Sequence, residues 1–455
     1  MNMKENSFGF SAESLGAGTF RAAYNIQYSY VSGSMYKGIS SYEMVIRMGL
    51  GGMLGFFGTG GLDFSEIESG IQAIQSRLNG GESYGVNLIH SPGMPLLENA
   101  SVDLFLSYGV KVLEASAFMQ ITPAVVKYRL LGLRRDSNGV VHGDHRIIAK
   151  VSRPEVASAF LHPAPENIVN QLLASKQITE DQAMMAKEVP VANDICVEAD
   201  SGGHTDMGIA TVLVPTIKRL KDEICKAQNY QHLVLLGAAG GIGSPEAAAA
   251  MFVLGADFIV TGSINQCTIE SGASDEVKSL LQDINVQDTA YAPAGDMFEM
   301  GARVQVMKLG TFFPARANKL YELWKNHNSL EEIDAKTIKQ IEAKYFKRSI
   351  DEVYAETKAF YLKVMPYEIE KAEKSPKHKM ALIFRWYFIH SNRVARAGDD
   401  SDRINYQVHT GPALGAFNQW VKGTELEDWR NRKVDEIGLK IMQETAIYMQ
   451  HSLGH

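Results

Sequence analysis

The fold of this chain is decided by the stretch Leu233-Val-Leu-Leu-Gly-Ala-Ala-Gly-Gly-Ile-Gly-Ser-Pro245 and by the apolar run Asp257–Ser263 that follows it. The first apolar run predicts a buried strand, and Ser244 before a proline is typical of a helix N-cap. Gly255 lies where a glycine is expected after the end of a helix. Two strands joined by one helix predict a parallel pair with a right-handed crossover.

The same alternation of apolar runs and helix signals repeats along the first 263 residues. Eight runs are predicted as strands: Gln27–Gly33, Gly51–Phe57, Tyr84–Ile89, Val110–Ser116, Arg146–Ser152, Asp194–Asp200, His232–Ala238 and Asp257–Ser263. Eight strand–helix units in about 240 residues match a closed barrel better than an open sheet. The sequence therefore predicts an α/β fold, a (β/α)8 TIM barrel.

Residues typical of helix ends support this alternation. They are Ser40 with Glu43 and Asp63 with Glu66 as capping boxes, Thr122 before Pro123 as an N-cap, and Gly49 and Gly109 as glycines that follow a helix.

The chain is predicted to contain two regions. Residues 1–320 form the barrel, and within it residues 153–193 are too long for a simple crossover and predict a lid. Thr179 and Gln182 predict a capped helix in that insertion. Residues 321–455 are predicted as a helical region, with one helix opening at Ser329 and another over Asp351–Lys363.

Composition narrows the class of protein. The net charge of -7 over 455 residues argues against a nucleic-acid binder. Three cysteines, an odd and widely spaced set, favour a reducing compartment without disulfides. Lys4 and Glu5 begin the chain without an apolar leader, and no window approaches about 18 apolar residues. We therefore expect a cytoplasmic enzyme that does not enter a membrane.

Glycines after the seventh and eighth predicted strands indicate a phosphate site. Gly240 and Gly241 precede a helix, and the eighth strand ends in Thr261-Gly-Ser263. Backbone N–H groups and hydroxyls of both loops would bind one phosphate group. A dinucleotide-binding fold would need an acid at the end of the following strand, whereas Asp257 opens that strand. A mononucleotide held there would extend its ring system towards the ends of strands one, three and six.

The sixth predicted strand runs into two glycines and a histidine in Asp194-Ile-Cys-Val-Glu-Ala-Asp-Ser-Gly-Gly-His-Thr-Asp206. Gly202 and Gly203 would let a planar ligand approach the backbone, with His204 beside it. Three other interpretations are open: a tight turn with a solvated histidine, a metal site with the nearby aspartates, and a nucleophilic Ser201. The metal site lacks a second His or Cys group at ligand spacing, so we expect no metal. The serine lacks the preceding glycine that a nucleophile elbow needs.

Short motifs at the predicted strand ends are shared with a known group of enzymes: Gly33-Ser-Met35, Tyr84-Gly-Val-Asn87, Glu198–Asp206, Gly240-Gly241 and Thr261-Gly-Ser263. These motifs resemble the FMN-dependent 2-nitropropane dioxygenase and enoyl reductase superfamily. Four longer stretches are Tyr30-Val-Ser-Gly-Ser-Met-Tyr-Lys-Gly-Ile-Ser40, Ala149-Lys-Val-Ser-Arg153, Phe313-Pro-Ala-Arg-Ala-Asn-Lys-Leu-Tyr321 and Gly411-Pro-Ala-Leu-Gly-Ala-Phe-Asn-Gln-Trp420. They resemble the PfaD-type branch, the trans-acting enoyl reductases of polyunsaturated-fatty-acid synthases and of polyketide synthases.

The resemblance implies an FMN cofactor, NADPH or NADH as hydride source, and an enoyl thioester on an acyl carrier protein as substrate. It leaves the assembly state open, with a homodimer among the options. The residues expected to bind the cofactor are Gly33, Ser34, Met35, Asn87, Lys150, Glu198, Ser201, Gly202, Gly203, Gly240, Gly241, Thr261, Gly262 and Ser263.

Two residues are candidates for catalysis. His204 would donate the proton to the α-carbon, because an imidazole has an ordinary pKa of about 6.5. Lys150 would stabilise negative charge on the flavin or on the developing enolate. Lys150 is equally consistent with a lysine that only pairs with Glu198 or Asp200. Two other functions also remain open: a nitronate monooxygenase-type flavin oxidase, and a non-catalytic scaffold within a synthase.

One segment reverses the acidic character of the chain. Between Lys371 and Arg396 seven lysines and arginines stand against the single acid Glu373. Acyl carrier proteins are typically acidic, so the resemblance suggests that this segment, with its aromatic residues Trp386–Phe388, attracts the carrier. A solvated helix face whose apolar side packs on the protein is the alternative.

Overall fold

The computed structural model describes residues 9–91 and 93–453. Lys4 and Glu5, on which the expectation of a missing leader rests, lie outside the described residues. The chain divides into two compact units. The first unit is built from the described residues of Met1–Asp200, Met207–Gly272 and Trp420–His455, and the second from Ser201–Asp206 and Ala273–Gln419.

A closed parallel barrel forms the first unit. Its eight strands are Tyr30–Ser32, Leu54–Phe57, Gly85–Ile89, Val112–Ser116, Arg146–Val151, Asp194–Glu198, Leu235–Ala239 and Phe258–Thr261. Each strand pairs with the next in chain order, and the eighth closes the barrel on the first with Ser32 opposite Thr261. All eight lie within or next to the predicted runs, which confirms the TIM barrel. We call the carboxyl-terminal ends of these strands the barrel mouth.

Helices surround the barrel strands. They are Gly18–Tyr24, Tyr42–Leu50, Phe64–Arg77, Pro95–Ser107, Pro123–Leu131, Pro154–Leu161, Glu166–Ala174, Glu180–Met185, Ala210–Gln228, Pro245–Val253, Ser263–Gln266 and Val434–Leu453. Short 3-10 turns occupy Glu425–Glu427 and Trp429–Asn431, and Leu133–Arg135 pairs with Val141–Gly143 as an antiparallel hairpin. At the amino-terminal end of the barrel, Phe20 stacks on Phe258 with ring centroids 4.0 Å apart.

Most predicted helix ends are confirmed. At the N-termini, the predicted capping residues are the N-caps of their helices, and at the C-termini the predicted glycines follow the helix. Asp63 with Glu66 and Thr179 with Gln182 form capping boxes, Thr122 and Ser244 are N-caps before prolines, and Gly109 and Gly255 follow helices with positive φ.

The capping box predicted at Ser40 is wrong. Ser41 is the N-cap, with its side chain accepting a bond from the first turn of the helix Tyr42–Leu50. The Ser40 hydroxyl instead donates to the carbonyl of Gly33 at 2.9 Å and closes the loop after the first strand. The predicted helix end at Gly49 is also wrong, since Gly49 lies inside that helix.

The insertion at residues 153–193 packs within the first unit. Its first helix packs on Ala210–Gln228, and its later helices pack on Pro123–Leu131 and on the hairpin. Asn193, which ends the insertion, bonds with both backbone groups of Ile147 near the start of the fifth strand. These contacts lie in the helical layer and at the amino-terminal ends of the strands, whereas a lid needs contacts at the mouth. The lid therefore stays a prediction.

The second unit combines a small sheet with helices. Thr289–Pro293, Arg303–Met307 and Gly203–Thr205 form an antiparallel sheet in that order. The helices are Asp275–Leu281, Phe313–Asn326, Ala335–Ile341, Ile350–Val364, Pro366–Lys374, Pro376–Ala397 and Pro412–Trp420, with a π-helix at Glu342–Phe346 and 3-10 turns at Phe298–Met300, Leu330–Glu332 and Asp400–Asn405. Phe298, Phe313, Phe384 and Tyr387 are among the residues of its hydrophobic core.

The observed division differs from the one expected at residue 320. That boundary falls inside the helix Phe313–Asn326, and the last helix, Val434–Leu453, packs on Pro245–Val253 in the first unit. The boundary differs because segments far apart in the sequence pack together, and such contacts leave no signal in the local sequence. The helix predicted to open at Ser329 is only a 3-10 turn, because the next helix begins after Asp334. The helix predicted over Asp351–Lys363 is confirmed.

Among the described residues, no helix is long and apolar enough to cross a membrane.

Candidate functional site

Lys150 lies among carboxylates at the mouth of the barrel in the first unit. Its Nζ is 3.1 Å from Oε1 of Glu198, which is on the neighbouring sixth strand. Its side chain is 12% exposed, and Glu114 on the fourth strand is 1% exposed. The pairing with Glu198 that the sequence left open is therefore present.

The charge of Lys150 is fixed by these neighbours. Burial by itself would lower the pKa of the ammonium, but the negative charges of Glu114 and Glu198 outweigh burial and raise that pKa above its ordinary value. A lysine in this state stays protonated throughout the physiological range. Lys150 can therefore stabilise a negative charge but does not exchange its proton readily.

Glu114 connects Lys150 to two other candidate residues. Its Oε2 accepts bonds from the hydroxyl of Ser34 and from the backbone N–H of Ser34 at 3.1 Å. Asn87 donates through Nδ2 to the Ser116 hydroxyl at 2.9 Å and lies 3.4 Å from Oε2 of Glu114. We call Ser34, Asn87, Glu114, Lys150 and Glu198 the mouth network.

Glycines leave open space at the ends of the seventh and eighth strands. Gly240 and Gly241 have φ of +91° and +76°, a backbone conformation that favours glycine. A Cβ on Gly240 would come within 2.6 Å of the Ala199 carbonyl oxygen, so the chain needs glycine there. A Cβ on Gly241 or Gly262 would meet nothing within 4 Å. Gly241 lies shortly before the helix Pro245–Val253, and the N-terminus of a helix can bind an anion.

The structure shows which groups at the end of the eighth strand are available to contact a phosphate. The Thr261 hydroxyl lies 2.7 Å from the Tyr30 hydroxyl and accepts a bond from Asn265 Nδ2 at 3.0 Å. Thr261 is only 3% exposed, so its hydroxyl is occupied inside the protein. Gly262 and Ser263 are partly exposed. A phosphate at this end would therefore contact those two residues and not the threonine hydroxyl.

His204 is paired with a carboxylate in the second unit. It lies on the strand Gly203–Thr205, opposite Val304. Its Nε2 is 2.9 Å from Oδ1 of Asp296, and the two side chains are 47% and 64% exposed. Burial would raise the pKa of the Asp296 carboxyl, but the hydrogen bond and charge of His204 outweigh burial and lower it. A carboxylate in this position orients the imidazole.

A second histidine lies in the same cluster. His409 accepts a hydrogen bond at Nε2 from the side-chain amide of Gln407 at 2.8 Å. Burial, followed by the charge of His204, lowers the pKa of His409 to about 4. His409 is therefore neutral at physiological pH, and His204 is the histidine of this pair suited to carry a proton.

The glycines before His204 have a structural role of their own. A Cβ on Gly202 would lie 2.7 Å from the Thr410 Cα, so this glycine allows two backbone segments of the second unit to approach each other. Gly203 has a φ of +87°, which disfavours a side chain. Ser201 precedes them and is partly exposed. The close approach expected here for a ligand is made, at Gly202, by the protein backbone.

Sequence reasoning missed three residues of these two clusters. Glu114 is a lone acid in the buried strand Val112–Ser116, and that pattern is a usable signal because buried acids are rare. Asp296 lies in a loop rich in glycine and methionine, and His409 stands two residues before the Gly411–Trp420 motif. Neither of the last two has a local signal, since their neighbours come from other parts of the chain.

In the described ranges, no group of three or more His, Cys, Asp or Glu side chains is arranged to hold a metal ion. Cys196, Cys225 and Cys267, all within the described residues, form no disulfide bond.

Comparison with known proteins gives one family-model match within the second unit. Residues 327–406 match the model described as "[Acyl-carrier-protein] S-malonyltransferase, inserted helical domain". The match covers less than half of the chain.

Two curated relatives match nearly the whole chain. The polyketide biosynthesis protein PksE of Bacillus subtilis is 55% identical over 98% of this chain and 58% of its own length. The polyketide biosynthesis protein ThaF of Burkholderia thailandensis is 52% identical over 95% of this chain and 37% of its own length. Polyunsaturated fatty acid synthase proteins of a Thraustochytrium species match at 46% identity over 91% of this chain. The chain thus spans little more than half, or less, of these relatives.

A solved structure matches the chain over almost all of both molecules. It is the enoyl reductase domain of MlnA, from the macrolactin biosynthesis cluster of Bacillus amyloliquefaciens. The two chains are 45% identical with a TM-score of 0.94, and the match covers 97% of this chain and 99% of that one.

Proposed function

This chain belongs to the family of the MlnA enoyl reductase domain, the PfaD-type enoyl reductases, and we propose that it reduces the α,β-double bond of enoyl thioesters attached to an acyl carrier protein. The observation that carries the proposal is the match to that domain along 97% of the chain. The pathway would be polyketide or polyunsaturated fatty acid synthesis. The reaction would use FMN and NADPH or NADH in a reducing, cytoplasmic setting.

The proposed cofactor site has two parts. The phosphate group of FMN would bind at Gly240, Gly241, Gly262 and Ser263, where Gly241 and Gly262 leave open space. The ring system would lie on Gly33, Ser34, Met35, Asn87, Lys150 and Glu198 at the mouth, with Ser201, Gly202 and Gly203 following the sixth strand in sequence. When bound, FMN would take a hydride from the reduced nicotinamide and pass it to the β-carbon of the enoyl group.

The protein's own residues would perform two tasks. Lys150, held protonated by Glu114 and Glu198, would stabilise the negative charge that develops on the thioester oxygen. His204 would then donate a proton to the α-carbon, and Asp296 would hold the imidazole in position and stabilise its charged form. The products are the saturated thioester and the oxidised nicotinamide.

The alternative of a nitronate monooxygenase-type flavin oxidase has weaker support. The curated relatives described above are named for polyketide or fatty acid synthesis. A scaffold without activity would not need a buried lysine between two carboxylates, because such an arrangement costs solvation energy.

The proposed carrier surface needs correction at three of its aromatic residues. Trp386, Tyr387 and Phe388 are buried in the core of the second unit and are not available to a partner. Lys377 is also engaged, because its ammonium bonds to carbonyls at the end of the helix Phe313–Asn326.

Lys371 and Lys374 remain exposed, on the helix Pro366–Lys374. This helix lies within the residues that match the inserted helical domain of an [acyl-carrier-protein] S-malonyltransferase. We therefore propose that these two lysines attract the acidic carrier.

Release of the bound pigment tests the cofactor. The purified protein should be yellow and should release FMN, not FAD, on denaturation, because the open space at Gly241 and Gly262 suits a single phosphate group. Chromatography of the released pigment gives the answer, and the absence of flavin, or FAD alone, would refute the assignment.

The same preparation separates the two chemistries. Under anaerobic conditions, an enoyl thioester should reoxidise the flavin that NADPH has reduced, and a nitronate should not reduce the oxidised flavin. Reduction of the oxidised flavin by the nitronate, without reoxidation by the enoyl thioester, would favour the oxidase.

A further inference from the structure

We infer that the amino-terminal end of the barrel carries a second binding site, for a small molecule with a phosphate or carboxylate group. A cavity of about 510 Å³ opens in the first unit where the fifth, sixth and seventh strands begin. Its walls include the helix Gly18–Tyr24 and the hairpin Leu133–Gly143. Volumes of roughly 300–1,000 Å³ are typical of small-molecule sites.

Arg146 contributes the first guanidinium group to this cavity. Its Nη2 lies 3.4 Å from Oδ2 of Asp194, and its Cζ lies 4.7 Å from the ring centroid of Tyr24. Its Nε is buried and has no acceptor within the described part of the chain. Asp194 is shared, because it also accepts bonds from the Tyr24 hydroxyl and from the backbone of Leu235. Arg146 therefore offers N–H groups that this carboxylate does not satisfy.

Arg129 contributes a second guanidinium group. It is 4% exposed, and it donates to the carbonyl oxygens of Pro190 and His145 at 3.2 and 3.1 Å. Both acceptors are uncharged. Burial, and then the charge of Arg146, lowers the pKa of Arg129 to about 10, which leaves the group cationic at neutral pH. A Cβ on Gly143 would lie 2.1 Å from Nη1, so the guanidinium group would have to shift to make room for it.

The charges around the cavity favour an anion. Arg146 lies beside the carboxylate of Asp194, whereas Arg129 donates only to backbone carbonyls. The two acids of the cavity lining, Asp144 and Glu188, already pair with Arg134 and Arg135 at 3.3 and 2.5 Å. Arginine binds phosphate and carboxylate groups through paired N–H bonds. An oxyanion from solution would complete the charge balance that the protein leaves open.

Calorimetry with inorganic phosphate and with acetate tests the site. The protein is first saturated with FMN, so that the phosphate space at the mouth is occupied. Saturable binding of either probe is expected. It should weaken about 10- to 100-fold in Arg129→Gln and Arg146→Gln, because each removes a charge-assisted hydrogen bond. Preference between the two probes identifies the group that is recognised.

Control variants keep the result decisive. Arg77→Gln should bind as the parent does, because Arg77 is exposed at the end of the helix Phe64–Arg77 and does not line the cavity. Gly262→Val, measured without FMN because the substitution itself fills the space at the mouth, should also leave this binding unchanged and so separates it from the cofactor proposal. If Arg146→Gln does not fold, Arg129→Gln alone decides. No saturable binding, or equal binding in parent and Arg129→Gln, would overturn the proposal.

Discussion

Lys150 in the first unit and His204 in the second are both basic side chains paired with acids, but their surroundings differ. The Lys150 side chain is 12% exposed and feels the charges of Glu114 and Glu198. His204 is 47% exposed and bonds to Asp296, which is itself 64% exposed. The lysine is thus largely buried beside carboxylates, whereas the histidine is in contact with solvent.

The difference separates two chemical roles. A lysine whose pKa is raised above its ordinary value keeps its proton and acts as a fixed positive charge. An imidazole titrates near neutral pH in its ordinary state and can be reprotonated from water. We therefore expect substitutions of His204 to slow proton transfer, and substitutions of Lys150 to act first on folding and charge.

His204→Ala gives the largest expected effect. Enoyl reduction should slow by roughly 10²–10⁴, which is the usual worth of a positioned general acid. Reduction of the flavin by NADPH should continue at nearly the parental rate, because that step needs no proton from this residue. Stopped-flow measurement of the two half-reactions separates these steps.

Asp296→Asn and His327→Ala serve as matched controls in the same unit. Asp296→Asn should slow enoyl reduction less than His204→Ala does, because it only weakens the contact that holds the His204 imidazole in position. His327 bonds to the carbonyl of Leu323, and its loss should change neither half-reaction. Parental enoyl reduction in His204→Ala would remove this residue as the proton donor.

Lys150→Met should act on stability. The change leaves Glu114 and Glu198 without their cation, and breaking a buried pair costs about 3–5 kcal/mol. Urea unfolding near pH 7 measures the loss of unfolding free energy. Because the pKa of Lys150 is raised in the folded state, its contribution is complete below the unfolded-state pKa and is lost only as pH rises through the higher folded-state value.

Two comparisons sharpen the Lys150 experiment. Lys218→Met removes an exposed lysine paired with Asp222 in the same unit and should cost less than about 0.5 kcal/mol. Lys150→Arg keeps the charge and should recover most of the stability. A Lys150→Met protein as stable as the parent would show that the mouth network does not depend on this cation.

The same two regions show how much of the structure can be predicted from the sequence. Around Lys150, each element has a local signal: apolar runs bounded by glycines predict the strands, and a lysine at the end of a strand predicts a polar mouth. What the sequence could not provide was the second acid that acts on the lysine. Glu198 was among the partners considered from the sequence, whereas the buried Glu114 on the fourth strand, whose charge also raises the pKa of Lys150, was not.

Around His204 less of the structure can be predicted from the sequence. The strand Gly203–Thr205 pairs with Arg303–Met307, about 100 residues away, and no local pattern predicts such a partner. For that reason the boundary expected at residue 320 does not coincide with the limits of the second unit, which are Ser201–Asp206 and Ala273–Gln419. Asp296 and His409 could be found only after this pairing was known.

The smallest expected effect lies on the surface of the second unit, at the exposed pair Lys371 and Lys374. Reversing both to glutamate should raise the KM for carrier-bound substrate about 3- to 10-fold at low salt, because rim charges mainly steer association. The effect should fade above roughly 0.5 M salt, where the Debye length falls to a few ångströms. A small thioester mimic should be reduced at the parental rate, since it needs no docking.

A matched reversal decides whether these positions matter or only the net charge. Lys336 and Lys339 are also exposed, on the helix Ala335–Ile341, so changing both to glutamate alters the net charge by the same amount. If the carrier docks at Lys371 and Lys374, only their reversal should raise KM. Equal effects of the two double variants would mean that the carrier responds to the overall field of the protein. An effect on the small mimic would instead mean that the substitutions disturb the unit that holds His204, which contradicts a docking role.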